Sequence, residues 1–125
     1  MQKNKLAKFL ALCFVLVCLS VSVNAESTTV YLKADQSSVT SSTIGLNDYV
    51  NYYAANSPNS LFGVYAIVHR SFPGKGWINV SESLMDAGTS SSGRVDEDEE
   101  ASWKLELNPW GWGFVGCEAV GEIKY

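Results

Sequence analysis

The segment from Ser102 to Leu107 constrains the fold most strongly, because its residues alternate strictly between polar and apolar. The apolar positions are Trp103, Leu105 and Leu107, and the polar ones are Ser102, Lys104 and Glu106. A period of two is typical of a β-strand with one face in the core and the other in water. The segment therefore predicts a half-buried strand.

Similar short apolar segments recur along the chain, separated by clusters of Gly, Pro, Asn and Ser. The predicted strands cover 29–34, 43–46, 48–56, 61–72, 77–84, a segment from 94 through 107, and 114–125. Pro73–Gly76 is predicted to form a hairpin turn between two of these strands, and residues 85–93 are predicted to form a loop. Such regular spacing is typical of sandwiches and barrels. We predict an all-β fold, a small antiparallel β-sandwich or open barrel of about six or seven strands joined as sequential hairpins.

Residues 1–25 have the composition of a cleaved signal peptide. Three lysines precede an uncharged apolar run, Phe9–Val23, and Val23 and Ala25 provide small residues at the cleavage site. The run is shorter than the roughly 20 residues that a membrane span needs. We expect cleavage after Ala25 and secretion of a single β domain, residues 26–125.

The charge balance disfavours two classes of partner. The whole chain carries a net charge of −4, and loss of the three signal lysines leaves six basic against thirteen acidic residues, a net charge of −7. The remaining basic residues are scattered singly along the sequence. An acidic surface repels nucleic acid and anionic lipid. The sequence therefore predicts no nucleic-acid partner and disfavours a membrane partner.

The segment NPWGWGFVGC, residues 108–117, contains a formal G-x-G-x-x-G pattern. A dinucleotide site needs a strand before the glycines and a helix after them. Here Asn-Pro precedes the glycines, and a β-branched, Gly-containing segment follows them. The segment instead predicts a turn between two strands, with tryptophans that either cap the core or face solvent.

If the turn is exposed, its rings form a candidate binding surface. Trp110, Trp112 and Phe114 would contact the ligand, with Trp77 as a neighbouring ring. Tryptophan offers a large flat apolar face to a sugar ring or to a protein. The same tip is also suited to the interface of a membrane, which the acidic charge disfavours. An extracellular glycan or protein is the preferred partner.

The acidic run Asp96–Glu100 raises the question of a calcium site. The spacing fails the EF-hand pattern, since Ala101 stands where its glycine is required and Leu107 where its glutamate is required. A solvated edge or loop is the preferred interpretation. A weak Ca²⁺ site formed by Asp96, Asp98 and Glu100 is the alternative.

Few residues are suited to catalysis. His69 is the only histidine, and Cys117 is the only cysteine outside the signal peptide. Their surroundings carry no signature of a cysteine hydrolase, and GTSSSG (88–93) is not a nucleophile elbow. We expect no enzymatic activity and no cofactor. Burial is the preferred interpretation of Cys117, and a dimer linked through it is the alternative.

Three functional hypotheses follow. The preferred one is a secreted, non-catalytic β-sandwich that binds an extracellular ligand, either a cell-wall glycan or a protein. The second is a secreted membrane-active toxin or bacteriocin-like protein. The third is a self-associating structural protein of the cell surface.

Overall fold

The computed structural model describes residues 25–110 and 114–125. They form an all-β fold, as predicted, and none of them forms a helix long and apolar enough to cross a membrane. Residues 1–24 of the predicted signal peptide, and Trp112, lie outside the described residues. The strands are β1 (Ser27–Leu32), β2 (Val39–Thr40), β3 (Ile44–Asn56), β4 (Val64–Ser71), β5 (Ile78–Met85), β6 (Ser90–Pro109) and β7 (Ala119–Lys124).

The strands make one antiparallel sheet in the order β1-β7-β3-β6-β4-β5, with β2 beside β6. Within the described residues, β1 and β5 do not pair, so the sheet is open rather than closed. The prediction of sequential hairpins is wrong. Among consecutive strands in the described part of the chain, only β4 and β5 pair, around the predicted Pro73–Gly76 turn. Strands distant in sequence make the other pairs.

Strand β6 joins the two halves of the sheet, which are β1, β7 and β3 on one side and β4 and β5 on the other. It can do so because it is 20 residues long and changes partners along its length. Its first part pairs with β3, from Ser90 opposite Ala55 onwards, and its second part pairs with β4, up to Pro109 opposite Val64. The predicted loop over 85–93 is therefore wrong for its second half. The serines at 90–92 have no apolar period, but β3 supplies the backbone partner that makes them a strand.

The core lies on the inner face of both halves. Trp103, Leu105 and Leu107 are fully buried, which confirms the alternation found in the sequence. Gly121 of β7 lies under them, and a Cβ there would approach the Cδ2 atom of Leu105 to 2.7 Å. The glycine therefore allows β7 to pack closely against the side chains of β6.

Strands β5 and β6 follow each other in the chain but do not pair, and polar side chains fill the space between them. The hydroxyls of Ser83 and Ser91 are hydrogen-bonded at 2.8 Å. Burial by itself raises the pKa of Tyr52, but hydrogen bonds with Ser91, Ser81 and Ser83 outweigh it and hold this pKa below its usual value. Hydroxyl contacts thus bridge the two halves where backbone pairing is absent.

Candidate binding surface

Two connections lie side by side at one end of the sheet. One joins β3 to β4 through residues 57–63, and the other joins β6 to β7 through residues 110–118. The Trp110 amide donates to the Gly63 carbonyl at 2.9 Å, and the Leu61 amide donates to the Gly116 carbonyl at 3.0 Å. These hydrogen bonds hold the β6–β7 connection against the β3–β4 connection at residues 110 and 116.

The anchored connections carry a cluster of apolar side chains. The ring centroid of Phe62 lies 5.1 Å from that of Phe114 and 6.5 Å from that of Trp110, with tilted planes in both pairs. Trp110 and Phe114 nevertheless remain 42% and 44% exposed. The adjacent Leu61 and Val115 are exposed as well. We call these five residues, Leu61, Phe62, Trp110, Phe114 and Val115, the loop-end patch.

The backbone at Trp110 is unusual. Its φ angle of 54° is in the left-handed region, which bulky residues rarely adopt. Pro109, buried opposite Val64, ends the strand immediately before it. Gly116 also has a positive φ, of 101°, and a Cβ there would lie 2.6 Å from the Cδ1 atom of Leu61. The backbone thus bends at Trp110 and at Gly116, and Trp110 and Phe114 lie against Phe62 of the β3–β4 connection.

The structure brings together two of the four predicted ligand-binding residues, Trp110 and Phe114. Trp77 lies at the other end of the sheet, since it precedes Ile78, which pairs with Arg70 far along β4 from Val64. Its ring is 39% exposed, and the Lys104 ammonium lies 4.2 Å from the ring centroid. Trp112 lies outside the described residues.

Leu61 and Phe62 were not among the predicted ligand-binding residues, because the sequence predicts a strand that begins at residue 61. Strand β4 begins three residues later, at Val64. Gly63, directly after the two apolar residues, is the signal that could have separated them from the strand, because glycine weakens a strand interior. Their apolar side chains therefore belong to the connection and contribute to the patch.

The acidic run does not converge on one point. Tyr49 pairs with Asp96 and Asn47 pairs with Ala101, so residues 97–100 stand opposite Asp48 alone and the strand bulges there. The Asp96 carboxylate accepts a hydrogen bond from Arg94, whereas Glu97 forms an ion pair with Arg70. In the described residues no three His, Cys, Asp or Glu side chains are grouped to hold a metal ion. The calcium alternative with Asp96, Asp98 and Glu100 therefore has no geometric support.

At the C-terminal strand, Tyr125 is near another member of the acidic run. Burial raises the pKa of Tyr125, and the negative charges of Glu26 and Glu100 raise it further. The charge of Glu100 thus contributes to the raised pKa of Tyr125, whereas Glu97 forms its ion pair with Arg70. The side chains of the run take up separate structural roles.

His69 and Cys117 have separate partners. The Nε2 atom of His69 lies 2.8 Å from a carboxylate oxygen of Glu106, whose other oxygen accepts a hydrogen bond from Asn108. The Cys117 thiol donates to the Phe62 carbonyl at 3.4 Å. The structure therefore does not form the Cys–His pair that the sequence left formally open.

Cys117 is a free cysteine that is fully buried. This confirms its preferred interpretation as a core residue. The alternative, a dimer linked through Cys117, would require the buried sulfur to become exposed before it could reach a second chain.

We expect the thiol of the folded chain of residues 26–125 to resist the aqueous reagent 5,5′-dithiobis(2-nitrobenzoate), because the reagent needs an accessible thiolate. In guanidinium chloride the same thiol should react completely. The chain should also migrate as a monomer on a non-reducing gel. Rapid reaction of the folded protein, or a dimer band that a reductant removes, would contradict the burial of Cys117.

No protein-family profile matches the sequence, and a comparison with curated proteins gives no match. The fold is similar to several solved structures at low identity. The carbohydrate-binding module TmCBM61, solved with β-1,4-galactotriose, is 10% identical, with coverage of 82% of this chain and 88% of that one and a TM-score of 0.47. PirA is 8% identical, with coverage of 78% and 90% and a TM-score of 0.48.

The mitogen derived from Yersinia pseudotuberculosis is 13% identical, with coverage of 81% of this chain and 84% of that one and a TM-score of 0.43. At this level, the likeness of all three structures concerns an all-β architecture alone. It assigns neither a ligand nor an activity to this chain.

Proposed function

We propose that this chain is a secreted, non-catalytic β-domain that binds an extracellular ligand, a cell-wall glycan or a protein, through the loop-end patch. The observation that carries the proposal is the exposure of Trp110 and Phe114, 42% and 44%, although both rings pack against Phe62. Apolar side chains clustered on a surface are typical of interaction sites.

The construction of the patch supports binding. The backbone hydrogen bonds of Trp110 and Leu61 hold the two connections together, so the rings are positioned before a ligand arrives. A preorganised surface loses less conformational entropy on binding than a mobile one. Large aromatic side chains also carry much of the affinity at interfaces.

The lack of charged side chains in the patch supports contact with an uncharged part of the ligand. None of the five residues of the patch is charged, and the predicted mature chain has a net charge of −7. Binding to nucleic acid or to anionic lipid would require local basic residues, which the patch lacks. Stacking on a sugar, or packing against apolar side chains of a protein, requires none.

The proposal includes no catalytic step, and the contacts of the two candidate groups support this choice. His69 pairs with Glu106 at a position on β4, and Cys117 is buried beneath Phe62 rather than open to a substrate. The proposed binding also requires no cofactor. An extracellular location follows from the predicted signal peptide.

The test uses purified chain 26–125, which contains every described strand, in sedimentation with insoluble cell-wall polysaccharide and with neutral and anionic liposomes. We expect pelleting with the polysaccharide. We expect Trp110→Ala and Phe114→Ala each to weaken this binding by about tenfold or more, as for central aromatic contacts. Trp77→Ala is the matched control, because it removes a ring of similar exposure from the opposite end and should bind normally.

Other results would separate the alternatives. Pelleting with liposomes would favour the membrane-active hypothesis, and sedimentation without any added material would favour self-association. Normal binding by both patch variants would contradict the assigned surface. If Trp110→Ala instead lost its cooperative thermal transition, the ring would belong to the core.

A further inference from the structure

A groove with a volume of about 580 Å³ lies on the outward face of the sheet, where the end of β1, the end of β3 and the start of β7 meet. This volume is within the range of small-ligand sites. The groove is separate from the loop-end patch but adjoins it. The Gly116 amide at the edge of the patch donates to the Ala34 carbonyl, just beyond β1, at 2.8 Å.

Strand register explains the shape of the groove. Tyr31, Val120 and Ala55 stand in one row across β1, β7 and β3. They face outward because their neighbours along each strand, such as Leu32 and Ala54, are buried. The two smaller side chains make a low apolar floor beside the Tyr31 ring, which is 65% exposed.

Polar groups complete the groove. Lys33 and Glu118 line it together with Ser57. Their side chains carry an ammonium group, a carboxylate and a hydroxyl, and the charges of Lys33 and Glu118 balance. An apolar floor with a few polar groups at its edges is typical of ligand sites. Balanced charges suit a neutral ligand with many hydroxyls better than an anion or a cation.

A second exposed ring extends this face. Tyr53, 50% exposed, lies two residues from Ala55 on β3 and opposite Glu122 of β7. Tyr31 and Tyr53 are separated by two strand spacings across the sheet and by two residues along the strands. These offsets correspond to a distance of about 12 Å. This separation suits a chain of several sugar rings rather than a single one. Both tyrosines are on paired strands, so their positions are fixed by the sheet.

We propose that this groove binds a neutral oligosaccharide chain, with Tyr31 stacked on one sugar ring and Tyr53 on another. Tyrosine suits this role because its ring covers the apolar face of a sugar while its hydroxyl bonds to the polar edge. The proposal rests on the proposed function for its class of ligand, since it selects the glycan among the two partners. It adds a second contact surface to the loop-end patch.

The test is calorimetric titration of chain 26–125 with two neutral probes, cellohexaose and chitohexaose. We expect at least one of them to bind, and Tyr31→Ala to weaken that binding about tenfold, the value of one stacked ring. Tyr31→Phe keeps the stacking face and should stay within about threefold of the unmodified chain. Tyr65→Ala is the matched control, since Tyr65 is on β4 in the other half of the sheet and its loss should leave affinity unchanged.

Three results would overturn the groove proposal: no binding of either hexasaccharide, unchanged affinity in Tyr31→Ala, or an equal loss in Tyr65→Ala. Thermal unfolding of each variant shows whether it folds, and Tyr31 is exposed enough for its removal to be tolerated. The two proposals fail separately. If Trp110→Ala pellets normally with polysaccharide, the loop-end patch is wrong, whereas the groove is judged by Tyr31→Ala alone.

Discussion

Replacing Trp103 with alanine should lower the free energy of unfolding by about 3–5 kcal/mol, the usual cost of removing a large buried ring. Trp103 is fully buried in β6, where it pairs with Ile44 on one side and Arg70 on the other. Its indole N–H also donates to the Asn47 carbonyl at 3.0 Å. The substitution therefore leaves a cavity in the strand that both halves share, and it leaves that carbonyl without its donor.

Urea unfolding followed by far-ultraviolet circular dichroism measures this loss. Trp77→Ala is the control, because Trp77 is 39% exposed and its ring lies against the Lys104 ammonium. Its removal should cost about 1 kcal/mol or less. Equal losses in the two variants would contradict the central position of Trp103.

Replacing Glu97 with alanine should cost about 3 kcal/mol, because it breaks a mostly buried ion pair and leaves one charge behind. The Arg70 guanidinium lies 3.0 Å from the Glu97 carboxylate, and the two side chains are only 15% and 20% exposed. The guanidinium also covers the Phe72 ring at 4.0 Å. Without the carboxylate, the positive charge stays in a poorly solvated position.

The double variant Arg70→Met/Glu97→Leu should recover much of that loss, since replacing both charges removes the desolvation cost. Asp96→Ala is the matched control on the same strand. Its pair with Arg94 is 54% and 65% exposed and should contribute less than about 1 kcal/mol. A double-mutant cycle in urea measures the coupling, and a Glu97 effect no larger than that of Asp96 would contradict the buried pair.

The sequence predicted the elements whose local pattern agrees with their final environment. The alternation at Trp103, Leu105 and Leu107 correctly predicted that these side chains are buried. The turn signal at Pro73–Gly76 correctly predicted the hairpin of β4 and β5. It did not give the strand at Ser90–Ser92, because serines become a strand there only through pairing with β3. The order of the strands in the sheet could not be predicted from local sequence patterns either, because the pairing of distant strands depends on how the whole core packs.

The candidate surface was predicted only in part. The exposure of Trp110 and Phe114 agrees with the sequence-based hypothesis, whereas Trp77 lies at the other end of β4. The contribution of Phe62 depends on a contact between two connections that are distant in the chain. Such a contact follows from topology, and periodicity within one segment does not reveal it.

The position of β7 between β1 and β3 has a consequence for biosynthesis. In the described part of the chain, β1 pairs only with β7, so its backbone partner is synthesised almost a full domain later. Contacts between residues so distant in sequence slow folding. For a chain that is exported as proposed, slow pairing of the first and last strands leaves time for the polypeptide to pass through a translocation channel before the sheet is complete.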